Sequence, residues 1–576
     1  MRLLTLFLCM SFSVWAQAGR TAGAGNLPQG IGAPPGAPTI PGQPQEPPPA
    51  ADCAIAGRVL SVTGEPLNKA TVTLQQVFSG PPTGPRMPAS YTTMSDAEGR
   101  LAMTELPPGS YHLRAERNGF VTGNYGSRSG TRGGTTLALT QGQSLTGLEI
   151  KLSPHAVIAG RVADTDGEPV ARAMVSALRY RYAQGGRQLM PAGSAQTDDR
   201  GEYRIFGLQP GRYYISATDG SSRFRMPSED RSPGPRVDDA YVTTYYPGTT
   251  DVETASPVEA AAGRELQEMN LELSRARTAR VRGRVIDETG VNNPSMPMMV
   301  FLRQRNSFGP GNMTQSVAGV DSQFEFRGLL PGSYMLAAVV RDGEVTFSGR
   351  QQIDVGTRDV ENALLPVRKG VPIRGSLQVE GAPIENLASL RVGLRPAESG
   401  PMFSGPPNGR VDADGNFVLE NTGPEQYLVM VTGFPPGYYV KSARMGREDV
   451  LENAMDLMRG AGALEIVVAD GAGEVEGAVM GSDQKPFPGA TVVLVPDSEQ
   501  RRKMQQFYKI ATTDQSGRYK LSSIDPGGYR IYAFDDIENG EWMDPDLINS
   551  VRGKGTAVRI QQGGRQTLEL KVIGSI

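Results

Sequence analysis

Only two histidines occur in the 576-residue sequence, and they limit which reactions the chain could catalyse. A zinc peptidase takes two ligands from one His-x-x-Glu stretch. His112 is instead followed by Leu113-Arg114-Ala115, and His155 by Ala156-Val157-Ile158. A Ser-His-Asp triad would need one of the same histidines, yet His112 is predicted to point outward from a strand and His155 to lie at a junction. We therefore predict no catalytic residues, no metal, no cofactor and no enzymatic activity.

Acidic residues are plentiful, but the clearest ones lie in turns and form no pair that could cleave a glycosidic bond. Asp412 and Asp414, ahead of Gly415, could begin a calcium loop, but the remaining ligands and the terminal glutamate are missing. Turn stabilisation is the favoured interpretation. The 58 basic and 61 acidic residues nearly cancel, so no nucleic-acid partner is predicted.

Aromatic side chains are the remaining candidates for chemistry, because a flat ring can stack on a sugar. The candidate carbohydrate contacts are Tyr180, Tyr182, Tyr245, Tyr246 and Trp542. Packing in a core or an interface is the competing interpretation, and it is the more favoured one because buried Tyr and Trp are ordinary in sandwiches.

The strands that would position these residues share a repeated sequence pattern, apolar-x-Gly-x-apolar. Its alternation predicts a half-buried strand. Its central glycines are Gly57, Gly160, Gly283, Gly375 and Gly477, spaced 92 to 123 residues apart. That spacing is the size of a domain and exceeds a solenoid repeat. We expect each glycine to leave room for a bulky neighbour.

Two turn patterns follow in the same order. Asp-x-x-Gly begins at Asp96, Asp198, Asp412 and Asp514, whereas the third repeat reads Asp321-Ser322-Gln323, which predicts a hairpin one residue shorter. A Pro-Gly turn then precedes a tyrosine in four repeats, and the fourth has Pro424-Glu425. Each tyrosine is predicted to bury its ring and bond its hydroxyl to nearby backbone. Glu425 is predicted to strain its turn, where glycine could take a positive φ.

These patterns predict an all-β chain, a tandem array of five Greek-key, Ig-like β-sandwiches with short strands. The predicted boundaries are 52–153, 154–275, 276–368, 369–463 and 464–576, called repeats 1 to 5 below. Within repeat 4, Val450 to Met458 has helical spacing, and a short edge helix and an irregular edge strand both fit it.

The first 51 residues precede the repeats. Residues 1–18 have the charge, apolar run and small-residue exit of a signal peptide, and 19–51 form a linker rich in Pro and Gly. The apolar run is shorter than the ~20 residues of a membrane span. An exported protein is predicted, periplasmic, in the cell envelope or secreted, with no transmembrane segment after signal cleavage. Cys9 lies in the signal, which leaves Cys53 as a quiet core residue or an intermolecular link.

The residues of repeat 2 carry a family resemblance, in Ala159-Gly160-Arg161-Val162, in 197–203 and in 208–213. They resemble carboxypeptidase regulatory-like domains, whose sandwich is transthyretin-like. The resemblance identifies the fold well and the function poorly, because such domains are appended to peptidases, outer-membrane receptors, adhesins and carbohydrate-active proteins.

The whole arrangement is similar to exported bacterial proteins that consist of such repeats without a catalytic domain. It implies a non-enzymatic structural or interaction protein with a protein or glycan partner outside the cytoplasm. One alternative is a carbohydrate-binding protein with starch-binding-like sandwiches. Another is an accessory module of a separate peptidase or outer-membrane transporter.

Overall fold

Five strands built on the apolar-x-Gly-x-apolar pattern organise the molecule, and the predicted all-β fold is confirmed. The computed structural model describes residues 52–77, 88–127, 134–183, 186–218, 239–287, 298–305, 313–318, 322–342, 345–397, 407–460 and 462–574. The predicted signal peptide and linker, with Cys9, lie outside these residues, as does Asp321. The chain from Ala50 to Ile576 forms one unit.

Every repeat has the same pairing. Its first strand lies between an antiparallel partner, which follows the hairpin turn, and a parallel partner, which closes the repeat. Its second strand pairs antiparallel with the strand that carries the repeated tyrosine. Two sheets built this way bury one face each against the other, which is a β-sandwich. In repeat 3 the strands pair continuously, so that all seven form a single sheet.

The strands of the first two repeats alternate buried and exposed residues over much of their length, as a half-buried sheet requires. Repeat 1 contains Cys53–Ser61, Thr71–Val77, Ser90–Met94, Arg100–Leu106, Gly109–Glu116, Gly123–Asn124, Thr136–Leu139 and Ser144–Leu152. Repeat 2 contains Ala156–Asp164, Met174–Ala183, Gly186–Gln196, Glu202–Leu208, Gly211–Thr218, Asp239–Tyr241, Thr244–Tyr245, Val258–Ala260, Glu265–Leu266, Leu271–Leu273 and Arg275–Arg277.

The remaining strands keep the same order. Repeat 3 contains Ala279–Asp287, Met298–Gln304, Met313–Ala318, Gln323–Leu329, Gly332–Asp342, Val345–Val355 and Val360–Lys369. Repeat 4 contains Val371–Glu380, Arg391–Pro396, Asn408–Arg410, Asn416–Thr422, Gln426–Thr432, Tyr438–Met445, Glu448–Asp449, Met455–Asp456 and Leu464–Asp470. Repeat 5 contains Gly473–Met480, Thr491–Pro496, Lys509–Thr512, Arg518–Ile524, Gly527–Phe534, Thr556–Ile560 and Arg565–Lys571.

The strand Leu464–Asp470 corrects one predicted boundary by seven residues, and the strands Arg275–Arg277 and Val360–Lys369 extend repeats 2 and 3 by two residues and by one. The first of these strands pairs in parallel with Val371–Glu380, with Leu464 opposite Gly375, so it closes the sandwich of repeat 4. The predicted division after residue 463 would split this sheet, and the fourth sandwich runs through Asp470. The sequence pattern failed here because an alternating strand looks the same at the end of one repeat and at the start of the next.

Helices in the described residues are short: the α-helices are Glu499–Arg502 and Pro545–Ser550, and the 3-10 turns are Val252–Thr254, Leu387–Ser389, Leu457–Arg459, Gln505–Phe507, Glu541–Met543 and Arg552–Lys554. The segment with helical spacing in repeat 4 is therefore irregular from residue 450 to 454, followed by the two-residue strand Met455–Asp456 and the start of a 3-10 turn. Its apolar residues Val450, Leu451 and Leu457 are buried in the repeat 4 cluster. No helix of the described part is long and apolar enough to cross a membrane.

The central glycines of the first strands are required by backbone and not chiefly by a bulky side chain. A Cβ at Gly57 would lie 2.1 Å from the carbonyl oxygen of Leu148, and one at Gly477 would lie 1.8 Å from that of Leu568. The other three meet a carbonyl oxygen of their own closing strand at 2.2 to 2.4 Å. Phenylalanine rings add to the crowding only at Gly283 and Gly375. Glycine thus lets the closing strand come close to the first strand, and in repeats 1 and 3 the register of this pair also shifts just before the glycine.

The Asp-x-x-Gly turns have the predicted chemistry. Asp96 Oδ1 accepts the backbone amides of Glu98 at 3.0 Å and Arg100 at 2.7 Å, and the other three aspartates do the same. The turn glycines have φ between +72° and +86°. In repeat 3, Ser322 takes this position with φ +57°, and it follows its strand end by four residues where Gly99 follows by five. The hairpin is one residue shorter, as predicted.

The repeated tyrosines are buried and donate to backbone. Tyr111 donates to the carbonyl of Pro107 at 2.7 Å, and Tyr213, Tyr334 and Tyr529 each donate to the carbonyl four residues earlier. Tyr427 bonds to the backbone of Gly423, and burial raises its pKa to about 12. Each ring therefore pins the turn that leads into its strand.

The residue with a positive φ near this turn is not the one predicted from the sequence. Glu425 is not among the described non-glycine residues with a positive φ, so the predicted strain there is wrong. The left-handed position lies six residues before each tyrosine. It is occupied by Glu105, Gly207, Gly328, Asn421 and Ser523, with φ between +53° and +75°.

Candidate functional site

The two histidines hold no catalytic geometry. His112 lies on the outward side of Gly109–Glu116, where its Nε2 is 3.2 Å from the hydroxyl of Thr136. His155 lies between repeats 1 and 2, and its backbone amide donates to the carbonyl of Gly119. Burial lowers the pKa of both imidazoles below the usual value. Among the residues that the structure describes, no three His, Cys, Asp or Glu side chains are grouped to hold a metal.

Two of the five candidate sugar contacts are buried. Tyr245 is 5% exposed and packs with Leu178 and Leu189, and Trp542 is 6% exposed in a hydrophobic cluster of repeat 5. A ring stacks on a sugar only through an uncovered face. These two side chains therefore serve packing in this structure.

The other three candidates are partly buried and already in contact. Tyr180 meets Tyr214 edge to face at 5.2 Å, and the guanidinium of Arg187 lies 4.7 Å from its ring centroid. Tyr246 packs against the core of repeat 2. A carbohydrate role for these residues stays a prediction, which the described contacts do not favour.

Tyr182 and Trp542 meet across two repeats that are not adjacent in sequence. Repeat 5 carries an insertion between Gly527–Phe534 and Thr556–Ile560, and its 3-10 turn Glu541–Met543 and helix Pro545–Ser550 cover the outer face of a sheet. Tyr182 packs against this cluster, and its hydroxyl donates to Asp544 Oδ2 at 2.9 Å. Asp544 is also the N-cap of the helix. Burial and the bond to Asp544 raise the pKa of Tyr182.

An ion pair lies beside this contact. Arg179 of repeat 2 pairs with Glu538 of the insertion, and the arginine side chain is only 15% exposed. Burial alone would lower the pKa of Arg179, but its hydrogen bond to Glu538 raises it overall. No role was predicted for Arg179, because nothing in the sequence of a single strand shows which repeat the strand will face.

Repeat 5 also approaches repeat 1. A Cβ at Gly489 would lie 2.2 Å from the carbonyl oxygen of Gly126, and Gln515 Nε2 lies 3.5 Å from the carbonyl of Ala138. The equivalent left-handed positions of repeats 1 and 2 are Lys69 and Arg172. Glycine replaces a long side chain only where another repeat comes close.

Repeats 3 and 4 meet through the substituted turn. Glu425 Oε2 lies 3.0 Å from Arg350 Nη1, and Asn421 Oδ1 accepts the backbone amide of Thr346 at 3.0 Å. Glu425 stands where the other four repeats have glycine, and Asn421 stands where repeats 2 and 3 have glycine. Departures from the repeat pattern thus indicate contacts between repeats. From the sequence we had predicted local strain at Glu425 instead.

The comparison with known families concerns the first two sandwiches. The model of the carboxypeptidase regulatory-like domain matches residues 54–153 and 157–224. Repeat 1 matches the carboxypeptidase regulatory-like domain over almost its whole length, and repeat 2 matches it over about its first half. No curated protein matches the chain.

Several solved structures of pilins share some strand arrangement with the chain, at low overall similarity. The minor pilin of Streptococcus agalactiae is 13% identical over 39% of this chain and 97% of its own, with a TM-score of 0.22. The shaft pilin of Lactobacillus rhamnosus GG is 10% identical over 39% and 98%, with a TM-score of 0.20. The major pilin subunit of Bacillus cereus is 10% identical over 55% and 100%, with a TM-score of 0.14. Such TM-scores do not establish a shared arrangement of domains.

The burial of Cys53 in repeat 1 distinguishes between the two predicted roles of this residue. Its side chain is buried at 0% exposure, and its thiol donates to the carbonyl of Thr140 at 3.1 Å. A buried thiol in an apolar cluster is not positioned for an intermolecular link. The quiet interpretation of this residue therefore fits the structure.

Proposed function

We propose that the chain is a non-enzymatic, exported scaffold that presents the faces of its sandwiches to a protein partner outside the cytoplasm. The proposal rests on the hydrogen bonds made by the polar side chains that could otherwise take part in catalysis or ligand binding. The turn aspartates accept backbone amides and the repeated tyrosines donate to backbone carbonyls, in repeat after repeat. These groups build turns and strand entries, so they are committed to structure.

Export is supported by the signal-like pattern of residues 1–18. The test is expression of the full chain in a bacterial host, followed by fractionation and mass measurement. Recovery outside the cytoplasm, shortened at its N-terminus, is the expected result. An uncleaved chain in the cytoplasm would refute this part of the proposal.

Partner binding is tested with photo-crosslinking amino acids at outward positions in the native host. Phe206 is 74% exposed and Met94 is 60% exposed, while the buried Leu113 provides a matched control. Outward sites are expected to form adducts with a protein outside the cytoplasm, and Leu113 none. A peptidase or a transporter among the adducts would select the accessory-module alternative. No adduct from either outward site would count against the scaffold, as would turnover of peptidase, esterase or glycosidase substrates by the purified chain.

A further inference from the structure

The contacts of repeat 5 with repeats 1 and 2 link parts of the chain that three and two intervening repeats separate, respectively. They comprise Arg179 with Glu538, Tyr182 with Asp544, Gly489 with Gly126, and Gln515 with Ala138. We call this set the clasp. All of its members lie in the unit formed by Ala50–Ile576.

The clasp differs in chemistry from the junction between repeats 4 and 5. At that junction Met504 and Phe507 enter the hydrophobic cluster of repeat 4, and Arg501 pairs with Glu452 at 2.7 Å. Burial of apolar surface makes such a junction durable, because about 25 cal/mol is gained for each Å² removed from water. Repeats 4 and 5 are therefore expected to move together.

The clasp is mainly polar. Among the residues that the structure describes, it consists of an ion pair and two side-chain hydrogen bonds, and Tyr182 is the large apolar side chain that repeat 2 contributes. Glu538 is 40% exposed, so salt and water weaken its attraction to Arg179. Polar contacts of this kind hold neighbouring domains less firmly than a large hydrophobic interface.

Two polar atoms at the clasp are also left without a hydrogen bond. Thr135 Oγ1 and Gln515 Oε1 are buried and unpartnered in the described residues, and Thr135 lies beside Gly489. Water would satisfy both atoms once the repeats separated. The closed arrangement thus forfeits hydrogen bonds that the open one regains.

Opening the clasp need not unfold a sandwich. Arg179 and Tyr182 lie at the end of their strand beyond its pairing with Gly211–Thr218, and Glu538 and Asp544 lie in an insertion outside the paired strands. The sandwich cores of repeats 1, 2 and 5 contain none of the four, although Tyr182 packs against the second hydrophobic cluster of repeat 5, on the outer face of its sheet. We propose that the clasp is a separable latch, whose opening extends the chain between repeats 2 and 5 while every sandwich stays folded.

The test is small-angle X-ray scattering of the full chain. The latch variant combines Tyr182→Phe, Glu538→Gln and Gly489→Lys, and Gly489→Lys copies the residue type found at the equivalent Lys69. The control variant combines Tyr180→Phe with Gly64→Lys, because Gly64 has φ +90° and no neighbour within 4 Å of a Cβ. The control carries the same added lysine and the same kind of backbone strain without touching the clasp, and it differs in net charge only by the one unit that Glu538→Gln removes.

The latch variant is expected to raise the radius of gyration by roughly one fifth, as for separated domains, with near-ultraviolet circular dichroism kept. The control should match the parent. An unchanged radius would overturn the proposal, and so would an increase that comes with loss of the near-ultraviolet signal. Tyr182→Phe with Glu538→Gln, which adds no side-chain bulk, should give a smaller increase that changes little with salt concentration, because the ion pair that salt screens is gone. Scattering needs no partner and no export, so its result is independent of the crosslinking experiment.

Discussion

At the scale of single residues, the substituted turn of repeat 4 shows how a side chain acquires a role from its neighbour in space. Glu425 occupies a position that is glycine in the other repeats, and it pairs with Arg350 of repeat 3 while both side chains are less than a quarter exposed. A half-buried ion pair contributes more than a surface one, because water screens it less.

Glu425→Gly is therefore expected to destabilise the full chain by about 1 kcal/mol, opposite to what turn strain would predict. Chemical denaturation followed by fluorescence measures the change. Arg350→Ala should cost a similar amount, and the double variant should cost less than the sum of the two. Strict additivity, or a gain in stability from Glu425→Gly, would contradict the assigned role of the pair.

The left-handed position before each tyrosine gives a matched pair of substitutions. Gly207 has φ +75° with no atom within 4 Å of a Cβ, and Glu105 holds the same position with φ +59°. Since only backbone strain differs, Gly207→Glu should cost on the order of 1 kcal/mol and Glu105→Gly should return a similar amount. Unfolding midpoints of the two variants decide the matter. Equal signs for both would show that side-chain contacts, and not φ, govern this position.

At the scale of strands, the close approach of the first and closing strands depends on one glycine. Gly477→Ala would put a methyl group 1.8 Å from the carbonyl oxygen of Leu568, so the two strands would have to separate. We expect a loss of roughly 2 to 4 kcal/mol or failure of repeat 5 to fold.

Gly393→Ala provides the control for that prediction, because its Cβ would meet nothing closer than 3.8 Å and its strand is otherwise regular. Its effect on the melting temperature of the full chain should be neutral or slightly favourable. If both alanines are tolerated equally, the close approach of the closing strand is not what selects the glycine.

Much of each sandwich could be predicted, because its determinants are local. Strand alternation, the Asp-x-x-Gly turns and the tyrosine spacing each depend on residues that are close together in the sequence. The shorter hairpin that ends at Ser322 is local in the same way. The reason for Gly57 could not be found locally, since the carbonyl it avoids belongs to a residue 91 positions later. The closing strand of repeat 4 was misassigned for the same reason, since its partner is remote in sequence.

At the scale of the whole molecule, the contacts of the candidate site could not be predicted from the sequences of the separate repeats. The same sequence features that suggested a sugar platform, clustered tyrosines and one tryptophan, are also those of an interface between folded units. Tyr182 and Trp542 illustrate the point, because they lie 360 positions apart and share one hydrophobic cluster. Only the contact between repeats 2 and 5 distinguishes the two interpretations.

The central claim is that five separate sandwiches are held together by contacts between repeats. Limited proteolysis of the full chain tests it most directly when the products are sized twice, by denaturing mass analysis and by native size exclusion. Protected fragments of about 90 to 120 residues are expected, with cuts between the five cores. These fragments should elute together under native conditions. A protected fragment whose end falls inside one of the paired sheets, or fragments that separate at once in native buffer, would contradict it.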